Sequence, residues 1–126
     1  MRSVFFGTPE IAVAALRALA DTSELVGVVC QPDRPKGRRL EVQEPAIKRA
    51  ARELGIPVHQ PLKVKTGNLD QWLLERSIDV AVVFAYGRIL PEPVLSAPRR
   101  GCMNLHASLL PKYRGAAPIE WAIWTA

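Results

Sequence analysis

Short apolar runs alternate with amphipathic stretches along the whole chain. Val4-Phe5-Phe6 stops at Gly7, and Leu25-Val26-Gly27-Val28-Val29-Cys30 stops at Gln31-Pro32. Ile56 to His59, Asp79 to Phe84 and Gly101 to His106 follow. Continuous runs of this length with β-branched residues predict strands buried on both faces. Pro57 puts the third of them at a sheet edge or a strand start. Between the runs, Ile11, Ala12, Ala15, Leu16 and Leu19 recur at helical spacing, with Thr8 as the expected cap and Pro9 in the first turn. Ile47, Ala50, Ala51 and Leu54 form a second helical face, opened by Pro45 and ended by Gly55. Leu69, Trp72 and Leu73 mark a third helix, Leu90 to Leu95 a brief fourth. A last one is expected from Pro118, carrying Ile119, Trp121, Ala122, Ile123 and Trp124. Residues 31–43 read as a loop.

Strands alternating with helices predict an α/β, Rossmann-like three-layer fold with a mostly parallel sheet. Such sheets place their ligands at the carboxyl ends of the strands, near the topological switch point. The loops to inspect are therefore Gly7-Thr8-Pro9, residues 31–43, Ala85 to Leu90 and the stretch after His106. The 126 residues fit one domain, and 48% apolar content supplies a core. Disorder, a coiled coil and a disulfide miniprotein are excluded. No apolar run approaches the ~20 residues of a membrane span, and the opening run ends too soon for a signal peptide, so a cytoplasmic protein is expected. Eleven prolines lie between the periodic segments and act as punctuation. Cys30 and Cys102 have no metal spacing and are expected as reduced, buried, inert thiols. The net charge of +5 serves solubility or an anionic partner, and its placement decides which.

Asn104 and His106 are the sharpest pair. Two residues apart at a strand end, they share one face of the sheet. A carboxamide donor beside an imidazole suits stabilisation of an oxyanion developing on a carbonyl, with proton transfer near neutral pH. No serine or cysteine stands in an elbow motif, which favours direct transfer over a covalent enzyme. G-x-G-x-x-G is absent after the first strand, so a nicotinamide or flavin loses support, and no cluster suggests a metal. Ser108 to Pro111 and Phe84 to Leu90 could together line an apolar slot for a flat heteroaromatic ligand. Arg34, Lys36, Arg38 and Arg39 lie in one proline-stiffened loop, followed by Lys48, Arg49 and Arg52. This is either a solvated face or a phosphate-binding cluster.

Asn104-Leu105-His106, Ser108-Leu109-Leu110-Pro111 and Arg114-Gly115-Ala116-Ala117-Pro118-Ile119 resemble the core of the 10-formyltetrahydrofolate-dependent formyltransferases. Phe6-Gly7-Thr8-Pro9-Glu10, Gln31-Pro32-Asp33-Arg34-Pro35, Pro57-Val58-His59-Gln60-Pro61 and Ala85-Tyr86-Gly87-Arg88-Ile89-Leu90-Pro91 narrow the resemblance to the branch acting on methionyl-tRNA. It implies attack by the α-amino group of methionine, carried on initiator tRNA, on the formyl carbon of 10-formyltetrahydrofolate. Asn104 and His106 would be two of three catalytic residues. Ser108, Leu109, Leu110 and Pro111, with Val83, Phe84, Arg88, Ile89 and Leu90, would hold the folate. Arg34, Lys36, Arg38 and Arg39 would face the tRNA, although Arg38-Arg39-Leu40-Glu41 carries fewer cations than the branch often has.

The resemblance also implies a third catalytic residue, an aspartate, beyond Ala126. Further strands and a C-terminal tRNA-binding domain would follow it. Residues 1–126 are thus expected to be an incomplete N-terminal formyltransferase domain, inactive alone and monomeric when full length. The competing readings are a sugar-nucleotide or other small-amine formyltransferase, and a non-catalytic folate- or RNA-binding module.

Overall fold

Val80–Phe84 is buried at all five positions and lies beside Arg2–Gly7, buried from Ser3 onward. These two strands, β6 and β1, form the parallel centre of the sheet, with Phe5 opposite Val82 and Phe6 opposite Val83. The computed structural model describes residues 1–36, 41–109 and 119–125, with positions 35–36, 41, 106–109 and 119–125 described by their backbone. After β1 a 3-10 turn at Glu10–Ala12 leads into helix α1, Val13–Thr22, and strand β2, Glu24–Val29. A hairpin of Arg34–Lys36 (β3) and Glu41–Gln43 (β4) precedes α2, Ala46–Glu53, and β5, Val58–His59. Helix α3, Leu69–Glu75, precedes β6; α4, Glu92–Ser96, and strands β7, Cys102–Leu109, and β8, Ile119–Thr125, follow it. The main sheet runs β5-β2-β1-β6-β7-β8, parallel except for the last pair. Pro57 accordingly stands just before an edge strand.

Alternation along β1 divides the core. Phe6, with Val4, Val29 and Val83, packs under Leu69 and Leu73 of α3 and Val94 of α4. Phe5, with Val28, Val82 and Phe84, packs under Leu16 of α1 and Ile47 and Ala51 of α2. Gly55 ends α2 as its sequence predicts. At φ +72° it lets its own N–H reach the Arg52 carbonyl and the Ile56 N–H reach that of Ala51 at 2.9 Å, a full Schellman closure.

Three expectations are corrected. Residues 31–43 are not all loop, because β3 and β4 pair antiparallel from Arg34↔Gln43 to Lys36↔Glu41. The segment from Ile119 is a strand, not a helix, paired with β7 from Leu109↔Ile119 to Met103↔Thr125. Its Ile, Trp and Thr residues suit a pleated surface, and a short apolar run cannot be assigned by periodicity alone. Thr8 does not cap a helix. Its hydroxyl instead donates to the Tyr86 carbonyl at 2.9 Å, and Pro9 takes the cap position without a side-chain bond.

Candidate functional site

Sheet order reverses direction at β1: β2 and β5 lie to one side, β6 and β7 to the other. A cleft of about 390 Å³ opens at that point. Its walls are Thr8 and Pro9 after β1, Gln31 and Pro32 after β2, and Ala85, Tyr86 and Gly87 after β6. Arg34 and the Gln43, Glu44 and Pro45 stretch bring the hairpin over it. This is the position that the switch-point rule assigns to a ligand, and the volume suits a small molecule. A second hollow, about 420 Å³, lies between α1 and the β6–β7 surface. Alanines of α1 and Val82, Met103 and Leu105 line it, with no charged group for chemistry.

Backbone approach dictates the shape of the cleft. A Cβ on Gly7 would lie 2.9 Å from the Phe84 carbonyl oxygen and 2.6 Å from the Phe5 ring, so the close β1–β6 contact requires glycine there. Ala85 holds φ +53°, a strained conformation for a residue with a side chain, and Gly87 follows at φ +94°. The turn after β6 thus presents backbone groups to the cleft rather than continuing the strand.

Asn104 sits on β7 opposite Val83 of β6 and is half-buried, one strand over from the turn that walls the cleft. Position 106 follows it in the same alternation and pairs through its backbone with Ala122. Ser108 and Leu109, expected in a loop, extend β7 in its ladder with β8, opposite Glu120 and Ile119. Their backbone is therefore engaged in the sheet. Leu110, Pro111, Arg38, Arg39 and the Arg114–Pro118 stretch lie outside the described residues.

Val83, Phe84 and Leu90 are buried in the core, whereas Ile89 is 91% exposed. Arg88 donates to the carbonyls of Pro61 and Leu62, at 3.2 and 2.8 Å, which ties the turn after β6 to the segment after β5. Ala85, Tyr86 and Gly87, within the Phe84 to Leu90 segment that the strand-end rule singles out, line the cleft.

The cations divide. Arg34 is exposed at the cleft rim, and Lys36 belongs to β3. Lys48 is not free for phosphate: its ammonium bonds both Asp33 oxygens, at 3.0 and 3.1 Å, and lies 3.7 Å from Glu44. Arg52 pairs with the same Glu44. Hydrogen bonds from Gln60 and then Lys48 hold the Asp33 carboxyl below its ordinary value of 3.8. A depressed folded-state value means that this anchor is fully present above the ordinary value and lost as pH falls through the lower one. Acidification below about pH 4 is therefore expected to loosen the Asp33 loop, and Asp33→Asn to remove that dependence. The Gln60 side-chain amide resonances, followed through an acid titration, check this; pH-independent resonances in the parent protein would refute it. Both cysteines are free and buried, with burial pushing Cys30 to about 12 and Cys102 to about 11. Neither is poised as a nucleophile.

Comparison with known proteins adds an independent line. A family model described as formyl transferase matches residues 1–126. The methionyl-tRNA formyltransferase of Sorangium cellulosum is 64% identical over 123 residues, which are 98% of this chain and 40% of that protein. That of Pelotomaculum thermopropionicum is 52% identical over 124 residues, again 98% and 40%. The chain spans about two fifths of the length of these curated relatives. Among solved structures, phosphoribosylglycinamide formyltransferase from Bacillus halodurans superposes with a TM-score of 0.65 at 17% identity, covering 100% of this chain and 80% of that one, a likeness of fold alone. Glycinamide ribonucleotide transformylase 1 from Geobacillus kaustophilus gives a TM-score of 0.57 at 28% identity, covering 91% and 62%.

Proposed function

Because the chain belongs to the formyl transferase family, we propose that it builds the reaction cleft of an enzyme that formylates methionine on initiator tRNA, with 10-formyltetrahydrofolate as donor. The observation that carries this reading is the cleft at the switch point, with Asn104 on the adjoining strand β7. The folate supplies an activated formyl carbon. The cleft volume and its mix of apolar side chains and turn backbone suit one end of such a flat heteroaromatic molecule.

In this mechanism the α-amine attacks the formyl carbon, a C–N bond forms, and charge develops on the formyl oxygen. Asn104 donates to that oxygen, where a fixed donor acts more strongly in the transition state than in the ground state. His106 assists movement of the proton released by the amine. The oxyanion then collapses and the bond from the formyl carbon to the folate nitrogen breaks. That nitrogen keeps the electron pair and takes up the proton, and the formyl group remains on methionine. The named activity of the 64%-identical relative supports methionyl-tRNA as acceptor. Exposed Arg34 at the cleft rim supports an anionic partner there. No helix among the described residues is long and apolar enough to cross a membrane. The reading places the enzyme in the cytoplasm, acting as a monomer.

Formylation of charged initiator tRNA, measured on a protein of the relatives' full length, tests the reading. Arg34→Ala is expected to weaken tRNA binding and to reduce the salt slope of log K by about one. Arg38→Ala should act in the same sense. Indifference of both variants, at any salt concentration, would favour a small-amine acceptor instead.

A further inference from the structure

Gln31 is polar, is only 8% exposed and lines the cleft. Four strand ends meet at it. Its backbone N–H donates to the Thr8 hydroxyl oxygen, after β1, at 3.4 Å. Its own carbonyl accepts from Gln60 Nε2, after β5, at 3.0 Å. Its side-chain Nε2 donates to the Tyr86 carbonyl, after β6, at 3.0 Å. A carbonyl cannot donate, so the orientation of this carboxamide is fixed. The Thr8 hydroxyl converges on the same Tyr86 carbonyl. Gly87 closes the arrangement, since a Cβ there would lie 3.1 Å from Gln31 Nε2.

The other end of the carboxamide differs: among the described residues, Gln31 Oε1 is buried without a partner. An unmet buried acceptor is costly, and a residue serving packing alone would do better as leucine or methionine. The carboxamide persists where its one donated bond holds the strained Ala85-Tyr86-Gly87 turn against the loop after β2.

We infer that Gln31 is a positioning residue of the cleft, fixing the loop that carries Arg34 relative to the turn after β6. The two loops follow strands on either side of β1 and both line the cleft, so Gln31 sets how the residues of one stand relative to those of the other. That the cleft's occupants are an amine acceptor and a folate rests on the formyl-transfer reading; the hub itself rests on geometry.

Gln31→Met keeps the size and removes the carboxamide. In the full-length protein it is expected to lower kcat/KM for formylation about 10²-fold, the scale of a ~1 Å misplacement. The loss should fall mainly on kcat, with little change in thermal midpoint. Gln31→Glu should not rescue it, because a carboxylate cannot donate to the Tyr86 carbonyl. Thr8→Val should give a smaller loss, and the double variant less than the product of the two singles, since both act on one carbonyl. Amide exchange at Tyr86, Gly87 and Arg88 should accelerate in either single variant. This readout needs no catalysis: faster exchange in a protein that forms no formyl product would refute the formyl-transfer reading and uphold the hub. Unchanged exchange in both variants, parental kcat/KM in Gln31→Met, or full additivity with Thr8→Val would overturn the inference.

Discussion

Asn104→Ala is expected to lower kcat for formyl transfer about 10²- to 10³-fold, the usual loss when one donor to a developing oxyanion is removed. The side chain is half-buried on β7, whose backbone pairing with β6 and β8 does not depend on it. The thermal midpoint should therefore hardly move, and KM for either substrate should stay near the parental value, because the interaction belongs to the transition state. Asn104→Asp provides the sharper test. It keeps the shape, replaces the donor with a negative charge where negative charge must develop, and should be at least as damaging as alanine. Steady-state kinetics on the full-length protein, alongside thermal unfolding, separate these effects. An alanine variant with kcat within a few-fold of the parent would remove Asn104 from the mechanism; so would a loss shared equally by KM and stability.

Pattern along the chain already carried the five parallel strands, since runs such as Val80–Phe84 are short, apolar throughout and rich in β-branched residues. It carried the strand-end loops that border the cleft too, but the order of strands in the sheet, which decides which of those loops meet, comes from the fold. It could not show the β3–β4 hairpin. That ribbon pairs outside the main sheet through backbone, and exposed Val42 and Arg34 leave no apolar period to detect. Nor could it tell free cations from engaged ones. Lys48 and Arg52 look like Arg34 in sequence; apart from the i,i+4 spacing of Glu44 and Lys48, only the fold brings Asp33 against Lys48 and Glu44 against Arg52. The Thr8–Gln31–Tyr86 hub escaped for the same reason. Its members come from three strand ends, and their sequence separations bear no relation to any local period.

Stability and cleft geometry meet at Phe6. Its ring is fully buried and stands edge-on to Tyr86, centroids 5.3 Å apart at 89°. Phe6→Ala should cost about 3–5 kcal/mol through lost burial and the cavity left behind. Against a typical total of ~5–15 kcal/mol, that leaves a marginal protein. Phe5→Ala supplies the control. Phe5 is equally buried but packs on the α1–α2 face, away from the cluster that contains Tyr86. Both variants should lose comparable stability in urea denaturation. Only Phe6→Ala should also free Tyr86, whose carbonyl receives Thr8 and Gln31, and so speed amide exchange at Tyr86 and Gly87 under conditions where the variant remains folded. Equal acceleration in both would mean that the turn after β6 follows global stability alone. Acceleration confined to Phe6→Ala would mean that the α3–α4 half of the core holds the cleft wall in place. The strained φ of Ala85 favours the second outcome, because a left-handed alanine persists only where its surroundings hold it there.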